Sequence, residues 1–256
     1  MTKTQDQKPK TDGVAAIILA AGQSSRMGAF KPLLPFGGKT VIDCTIDYLR
    51  RGGIETIIVV VGHRAADIKK QLDNSGVMFA TNSDPNSAMA ASIICGLRAV
   101  ANDARALVIT PVDHPAVPHQ VVTQLINEWR AGARLVIPTN LERGGHPVLV
   151  DLSFRAELLK LDPARGLKSF FDAHHNQVKR VAVDSNYIAR DLDTWDDYRS
   201  LHRKSLALGH QSRFGGRTYG EPAQTSSLRY IKRRPTKTLP YSSKALPGQL
   251  ACGKGE

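Results

Sequence analysis

Cysteine is scarce in this chain of 256 residues: Cys44, Cys95 and Cys252 are odd in number and include no C-x-x-C pair. Neither a disulfide framework nor a zinc cluster is therefore suggested. Cys44 and Cys95, set among apolar neighbours, read as small core residues. Long apolar runs are missing as well. No stretch reaches the length of a membrane span, and segment 1–13 is polar and lysine-bearing, without the apolar centre of a signal peptide. A soluble, cytoplasmic protein with no membrane partner is expected. Two common phosphate-binding fingerprints are also absent. There is no G-x-x-x-x-G-K-[ST], and Gly22, Gly28 and Gly37 are not spaced as G-x-G-x-x-G, which argues against a dinucleotide oxidoreductase.

Acidic residues thin out towards the end of the chain. Residues 203–256 carry eleven Lys and Arg against Glu221 and Glu256, which accounts for +9 of the formal charge of +12 and leaves +3 for residues 1–202. The first 202 residues are thus nearly neutral, and the overall pI says little about their partner. In 203–256 Gly, Ser, Pro, Arg and Lys dominate and no hydrophobic period survives, so a disordered basic tail is expected. Lys232-Arg233-Arg234 beside Tyr230 also fits a nucleic-acid arm, but charge runs are more often simply solvated, so nucleic acid is not the favoured partner. Residues 1–12 are likewise expected to be disordered.

Between these ends the pattern alternates. Val14–Leu19, Thr56–Val61, Ala106–Thr110 and Leu135–Pro138 read as strands, with Val77–Ala80, Pro147–Val150 and Val178–Val183 as shorter ones. Helical spacing appears in Val41–Leu49, Ala65–Leu72, Met89–Val100 and His119–Arg130. It recurs in Phe154–Lys160, Gly166–Phe171 and Thr194–Leu201, the last with Thr194 as N-cap. Alternating strands and helices with short loops imply one α/β domain over residues 13–202, built on a doubly wound, mostly parallel sheet with a small antiparallel extension. Ligands of such sheets sit beyond the strand C-termini, so the loops at Ala20, Gly62, Asn82 and Pro111 are expected on one face.

The first of these loops is the richest in chemistry. Leu19-Ala20-Ala21-Gly22-Gln23-Ser24-Ser25-Arg26-Met27-Gly28 leaves an uncharged strand, and Lys31 follows. Gly22 and Gly28 admit positive φ, which lets backbone N–H groups converge on an anion. Arg26 offers a planar fork and Lys31 a point charge to phosphate oxygens. The same composition also suits an ordinary surface turn. Farther on, Thr110-Pro111-Val112-Asp113-His114-Pro115 holds one carboxylate between two prolines at a strand end. That fits a magnesium ligand, or an Asp bonded to its own turn.

The run L-A-A-G-x-S-x-R-M-G-x-x-K-x-L-L-P, complete from Leu19 to Pro35, resembles the signature of nucleotidyltransferases that add a nucleotide to molybdopterin, and is most similar to their cytidylyltransferase branch. The resemblance extends over about residues 14–201 and implies a Rossmann-like nucleotidyltransferase fold. It implies that Leu19, Ala20, Ala21, Gly22, Ser24, Arg26, Gly28 and Lys31 hold the triphosphate of CTP. Pro111-Val112-Asp113-His114-Pro115 is similar to the family's P-x-D-x-P element, which makes Asp113 a magnesium ligand. Asp191-Leu192-Asp193-Thr194-Trp195-Asp196-Asp197-Tyr198 resembles its D-[IL]-D-T-P-E-D-Y close, with Trp195 for Pro and Asp196 for Glu. Asp193 then supplies a second carboxylate, although helix capping is an equal use for it.

Ala88-Met89-Ala90-Ala91-Ser92 through Gly96-Leu97 resembles G-M-x-x-S-x-x-x-G-L, which sets Ser92 against the base; Ala88 departs from the family Gly, and Ser92 also suits a bond within its own helix. Gly145-His146-Pro147 resembles the acceptor-side G-H-P, giving His146 either the acceptor or a structural turn. Arg165, in Asp162-Pro163-Ala164-Arg165-Gly166, falls on another acceptor-side loop. Ala21 stands where guanylyl-transferring relatives carry Gly. The implied reaction moves CMP from CTP to a molybdopterin-type acceptor, with Arg26, Lys31 and Asp113 central to it. A nucleotidyltransferase for a sugar or alcohol phosphate is a second reading. A non-catalytic protein that delivers cofactor to a molybdenum hydroxylase is a third.

Overall fold

Val14–Ala20, seven consecutive buried residues without a charge, form the central strand β1. The computed structural model describes residues 13–23, 27–84 and 88–203, together with the backbone of 204–211. All of them belong to one compact unit.

After β1 a short 3₁₀ turn, Lys31–Leu33, leads into a two-stranded antiparallel hairpin, β2 (Pro35–Phe36) and β3 (Lys39–Thr40). Helix α1 (Val41–Arg51) opens on a capping box, in which the Thr40 hydroxyl accepts from the Asp43 N–H and the Asp43 carboxylate accepts from the Thr40 N–H. Then come β4 (Thr56–Val61), α2 (Ala65–Gln71), β5 (Met78–Thr81), α3 (Met89–Ala99), β6 (Ala106–Pro111) and α4 (His119–Arg130). The second half supplies β7 (Leu135–Asn140), β8 (Arg143–Gly144), β9 (Val148–Asp151), α5 (Arg155–Leu158), α6 (Gly166–Ala173), β10 (Val178–Ala182) and α7 (Trp195–Gln211).

The large sheet runs β10-β7-β9-β6-β1-β4-β5, with β8 paired to β7. Strand β1 is parallel to β4 and β6, β4 to β5, and β7 to β10; β9 lies antiparallel between β6 and β7. Every residue of β1 is buried because both faces of the sheet are covered. Val14, Ala16, Ile18 and Ala20 face a core that includes Ile42, Ile46 and Leu49 of α1 and Val122, Leu125 and Ile126 of α4. Ala15, Ile17 and Leu19 face a second core with Ile93 and Leu97 of α3 and Phe170 and Phe171 of α6. The doubly wound, mostly parallel sheet expected from the alternation is therefore present, with its antiparallel additions in β2–β3, β8 and β9.

Two details differ from expectation. Helix α7 continues to Gln211 instead of ending at Leu201. Strand β6 includes Pro111, since proline costs nothing where no ladder donor is required of it. Among the described residues no helix is long and apolar enough to cross a membrane.

Helix α3 lies close to the sheet at Gly96, where an added Cβ would stand 2.8 Å from Val60 Cγ2 and 2.9 Å from Ile17 Cδ1. Both side chains are fully buried and have nowhere to move. Gly96→Ala gains about 1 kcal/mol of helix propensity against an overpacking cost of about 1–3 kcal/mol. A net loss of about 1 kcal/mol is expected in urea unfolding, growing to about 3 kcal/mol in Gly96→Val.

Candidate active site

Parallel strands β1, β4, β5 and β6 end together, and a cleft of about 250 Å³ opens beyond them. Its lining comes from the loop after β1 (Leu19, Ala20, Ala21, Gly22), the 3₁₀ turn (Lys31, Pro32), the loop after β5 (Asn82, Asp84), the start of α3 (Met89, Ser92) and the end of β6 (Pro111, Val112, Asp113). Gly62 lets these loops close up: a Cβ there would sit 2.9 Å from the Ala21 carbonyl oxygen and 3.1 Å from that of Asn82. The loops at Ala20, Gly62, Asn82 and Pro111 thus share one face, as expected.

Lys31 is the hub. Buried Met27 and Phe30 anchor the chain before it, and the Leu34 N–H donates to the Lys31 carbonyl, which fixes the turn. Its ammonium, almost fully buried, donates to Asp193 Oδ1 at 2.7 Å and reaches Asp113 Oδ2 at 3.5 Å. Asp193 arrives from far along the chain because the Leu192 N–H donates to the Asp113 carbonyl at 3.0 Å and the Leu192 side chain is buried. Thr194, not Asp193, caps α7: its hydroxyl accepts from the Asp197 N–H at 3.1 Å, and Asp197 Oδ2 accepts from the Thr194 N–H at 3.0 Å. The Asp193 carboxylate meets Lys31.

Asp113 also meets His114, whose Nδ1 lies 3.0 Å from Oδ1. Burial would raise this carboxyl, but the His114 hydrogen bond and charge, together with Lys31, hold it below the usual carboxylate range. It is ionised at neutral pH. The carboxylates of Asp113 and Asp193 are hard oxygen donors, and among the described residues no group of three or more His, Cys, Asp and Glu is placed to hold a metal. That set fits magnesium, which takes one or two carboxylates and completes its shell with water and phosphate.

Ser92 Oγ accepts from Asn82 Nδ2 at 2.9 Å, so its partner lies on the loop after β5, not within its own helix. The sequence marked 82–86 only as a polar loop, and Asn82 and Asp84 were missed because a polar loop carries no periodic signal. Gly28 has φ +60°, the left-handed conformation expected of the loop, whereas Gly22 does not lie in that region. Gly22 instead lines the cleft with open space where a Cβ would stand. Ser24 and Arg26 lie outside the described residues.

His146 is not among the residues that line the cleft. It sits behind Asp113, its ring 5.2 Å from that of His114, with its backbone N–H donating to the Ile188 carbonyl and its Nδ1 shut off from solvent without a partner. Gly145 permits this, since a Cβ there would collide with the Ile188 carbonyl at 2.2 Å. Arg165 is exposed at the N-cap of α6 and lines no part of the cleft. His63 is also exposed, edge-on to Phe30.

Residues 16–178 match the MobA-like NTP transferase domain. The chain belongs to this family. It is 28% identical over 198 residues to the nicotine blue oxidoreductase of Paenarthrobacter nicotinovorans, covering 73% of this chain and 96% of that one. It is 25% identical over 188 residues to the molybdenum cofactor cytidylyltransferase of Escherichia coli K12, covering 72% and 93%. Among solved structures, Rv0371c of Mycobacterium tuberculosis H37Rv superposes with a TM-score of 0.68 at 27% identity, covering 76% and 100%. The same protein has been solved in complex with manganese, with a TM-score of 0.63 over 75% and 98%. This member of the MobA-like family is thus a nucleotidyltransferase by kinship, with the fold of that group.

Burial, then the His114 charge, push the His146 imidazole down to about 4, against smaller raising effects from Asp113 and the Ile109 carbonyl. The unfolded chain therefore takes up this proton first. Stability from this group is complete above about pH 6.5, falls by about 3 kcal/mol as pH drops to about 4, and falls no further below that. Urea midpoints across pH 4–7 are expected to show this slope in the wild type and not in His146→Gln.

Proposed function

We propose that this protein transfers CMP from CTP to molybdenum-bearing molybdopterin with release of pyrophosphate, in a magnesium-dependent reaction. The observation that supports this most directly is the convergence of Lys31, Asp113 and Asp193 at the mouth of a cleft lined by the loop after β1. An oxygen of the acceptor's terminal phosphate attacks the α-phosphorus of CTP. The bond from that phosphorus to the bridging oxygen breaks, and pyrophosphate leaves with the electron pair. No covalent step falls to a side chain, so the protein's part is positioning and charge compensation.

Lys31, Arg26 and the amides of 19–28 bind the phosphates, and Gly28 and Gly22 keep the backbone accessible to them. Asp113 and Asp193 would hold magnesium, which supplies charge neutralisation as the leaving oxygens gain charge. Asn82 and Ser92, already paired, present polar groups on the side of the cleft where the base is placed. Ala21, pressed against Gly62, narrows that side towards a pyrimidine. His146 serves by supporting His114 and Asp113 from behind, and its link to the acceptor is indirect.

The relationship to a protein named as an oxidoreductase raises a second reading. Against it stands the loop after β1, which lacks the dinucleotide glycine spacing. Pyrophosphate release decides between them, and it also separates catalysis from mere delivery of cofactor to a molybdenum hydroxylase.

Purified protein supplied with magnesium, molybdenum-bearing molybdopterin and each of CTP, GTP, ATP and UTP is expected to release pyrophosphate with CTP. Release only with a sugar or alcohol phosphate as acceptor would move the assignment to that class, and no release with any nucleotide would overturn it. Lys31→Ala is expected to lower kcat/KM for CTP by about 10²–10³, the loss usual for a donor to developing charge. Unchanged turnover would remove Lys31 from the mechanism.

A further inference from the structure

The edge of the sheet opposite the cleft holds a second concavity, of about 480 Å³, into which three arginines project. Arg105 immediately precedes β6 and Arg134 immediately precedes β7, while β9, reversed between them, ends there at Asp151. The main chain locks these three side by side: the Leu152 N–H donates to the Arg105 carbonyl at 2.8 Å, and the Asp151 N–H to the Arg134 carbonyl at 2.7 Å. Arg130 and Trp129 close the concavity from the end of α4.

Arg105 and Arg134 share this lining with a single acid. Asp151 is the one acid in the lining, and its carboxylate is already committed, with Oδ2 accepting from Trp129 Nε1 at 2.8 Å and Oδ1 from the Ser153 N–H at 2.9 Å. Among the described residues neither Arg105 nor Arg134 reaches a carboxylate at salt-bridge distance. Both guanidinium groups are oriented by aromatic rings instead. Arg105 lies 5.4 Å from the centre of Trp129, and Arg134 lies 4.4 Å from the centre of Phe154. Arg134 also donates to Ser153 Oγ and its charge acts on Asp151, so its remaining N–H groups and those of Arg105 are the ones set to meet phosphate oxygens as a fork. Helix α4 points its C-terminus here, which favours the cations and does not by itself attract an anion. The excess of guanidinium charge in a concave, partly pre-oriented setting is what calls for an anionic ligand.

We propose that this edge pocket is a binding site for a phosphate-bearing small molecule, separate from the nucleotide cleft. The inference is independent of the proposed cytidylyl transfer. It requires only that guanidinium groups held in place by Trp129 and Phe154 meet a multiply charged oxyanion.

Trp129 and Trp195 are the two tryptophans of the chain, so Trp195→Phe makes Trp129 the reporter of the pocket. The full-length Trp195→Phe protein is titrated with inorganic phosphate, pyrophosphate and CMP, with sodium chloride at matched ionic strength as the screening control. A saturable change in Trp129 emission is expected with phosphate or pyrophosphate and not with chloride. Its midpoint should rise about tenfold or more in Arg105→Gln/Arg134→Gln and stay where it is in Lys31→Ala. Saturation by CMP as well would identify a nucleoside phosphate as the ligand type, and saturation by the inorganic anions alone would identify free phosphate; both sustain the site. Arg105→Lys/Arg134→Lys keeps charge and stem packing but removes the fork, so it tests the same point if the glutamine pair fails to fold. A response reproduced by chloride, indifferent to both arginine pairs, or abolished by Lys31→Ala would overturn the proposal.

Discussion

The contact on which the site depends is the buried Lys31 ammonium held between two carboxylates that lie 82 and 162 residues away in sequence. A cation taken out of water is costly unless it is paired, and here two carboxylates converge on the Lys31 ammonium, with His114 also on Asp113. The pairing also explains local order that otherwise lacks a reason. The 3₁₀ turn at Lys31–Leu33 and the buried Phe30 bring the lysine inward, while the Leu192–Asp113 backbone bond brings Asp193 to meet it. A lone lysine with either aspartate would make an ordinary ion pair, and the third member is the feature on which the proposed metal and phosphate site rests.

Steric economy at the strand ends shapes the cleft as much as charge does. Ala20 ends β1 and Ala21 follows it, and Gly62 lies where any side chain would press on Ala21 and Asn82. Three neighbouring parallel strands can therefore end in loops that touch and still leave room for a ligand. On the other side β9 runs in reverse, so the chain between β7 and β9 returns to the cleft end, carrying Gly145 and His146 behind the Asp113 loop.

The sequence revealed the parts of this arrangement that rest on local pattern. Apolar runs located β1, β4 and β6 because a strand covered on both faces needs no polar alternation, and helical spacing located His119–Arg130 to the residue. The signature from Leu19 to Pro35 and the two aspartate motifs pointed to residues that converge in space. What stayed hidden rests on long-range geometry. The Asn82–Ser92 bond joins a featureless loop to a helix, the reversed direction of β9 leaves no mark in a four-residue strand, and β2–β3 is too short to show alternation. Lys31 and Asp193 were each singled out, but their pairing depends on where the Leu192 backbone docks. The extension of α7 to Gln211 ran past the point where hydrophobic spacing faded, since a helix once started propagates through neutral positions.

The electrostatics of the cleft constrain the form in which a nucleotide can enter it. Among the described residues, Asp84, Asp113 and Asp193 face or border the cavity, and Lys31 is the cation that meets the last two of them. A triphosphate brought alone into that setting would place several negative charges beside these aspartates, at separations of a few ångströms where Coulomb costs reach kcal/mol even at a high effective dielectric. The same triphosphate carrying a divalent ion reverses the balance, because the aspartates then face the metal instead of the phosphates. Asp113, held ionised by His114 and Lys31 in spite of its burial, is ready for that exchange without first losing a proton. In the transfer proposed above the carboxylates would select the metal-bound nucleotide, and Lys31 would pass from balancing two aspartates to sharing the charge of the phosphates they admit.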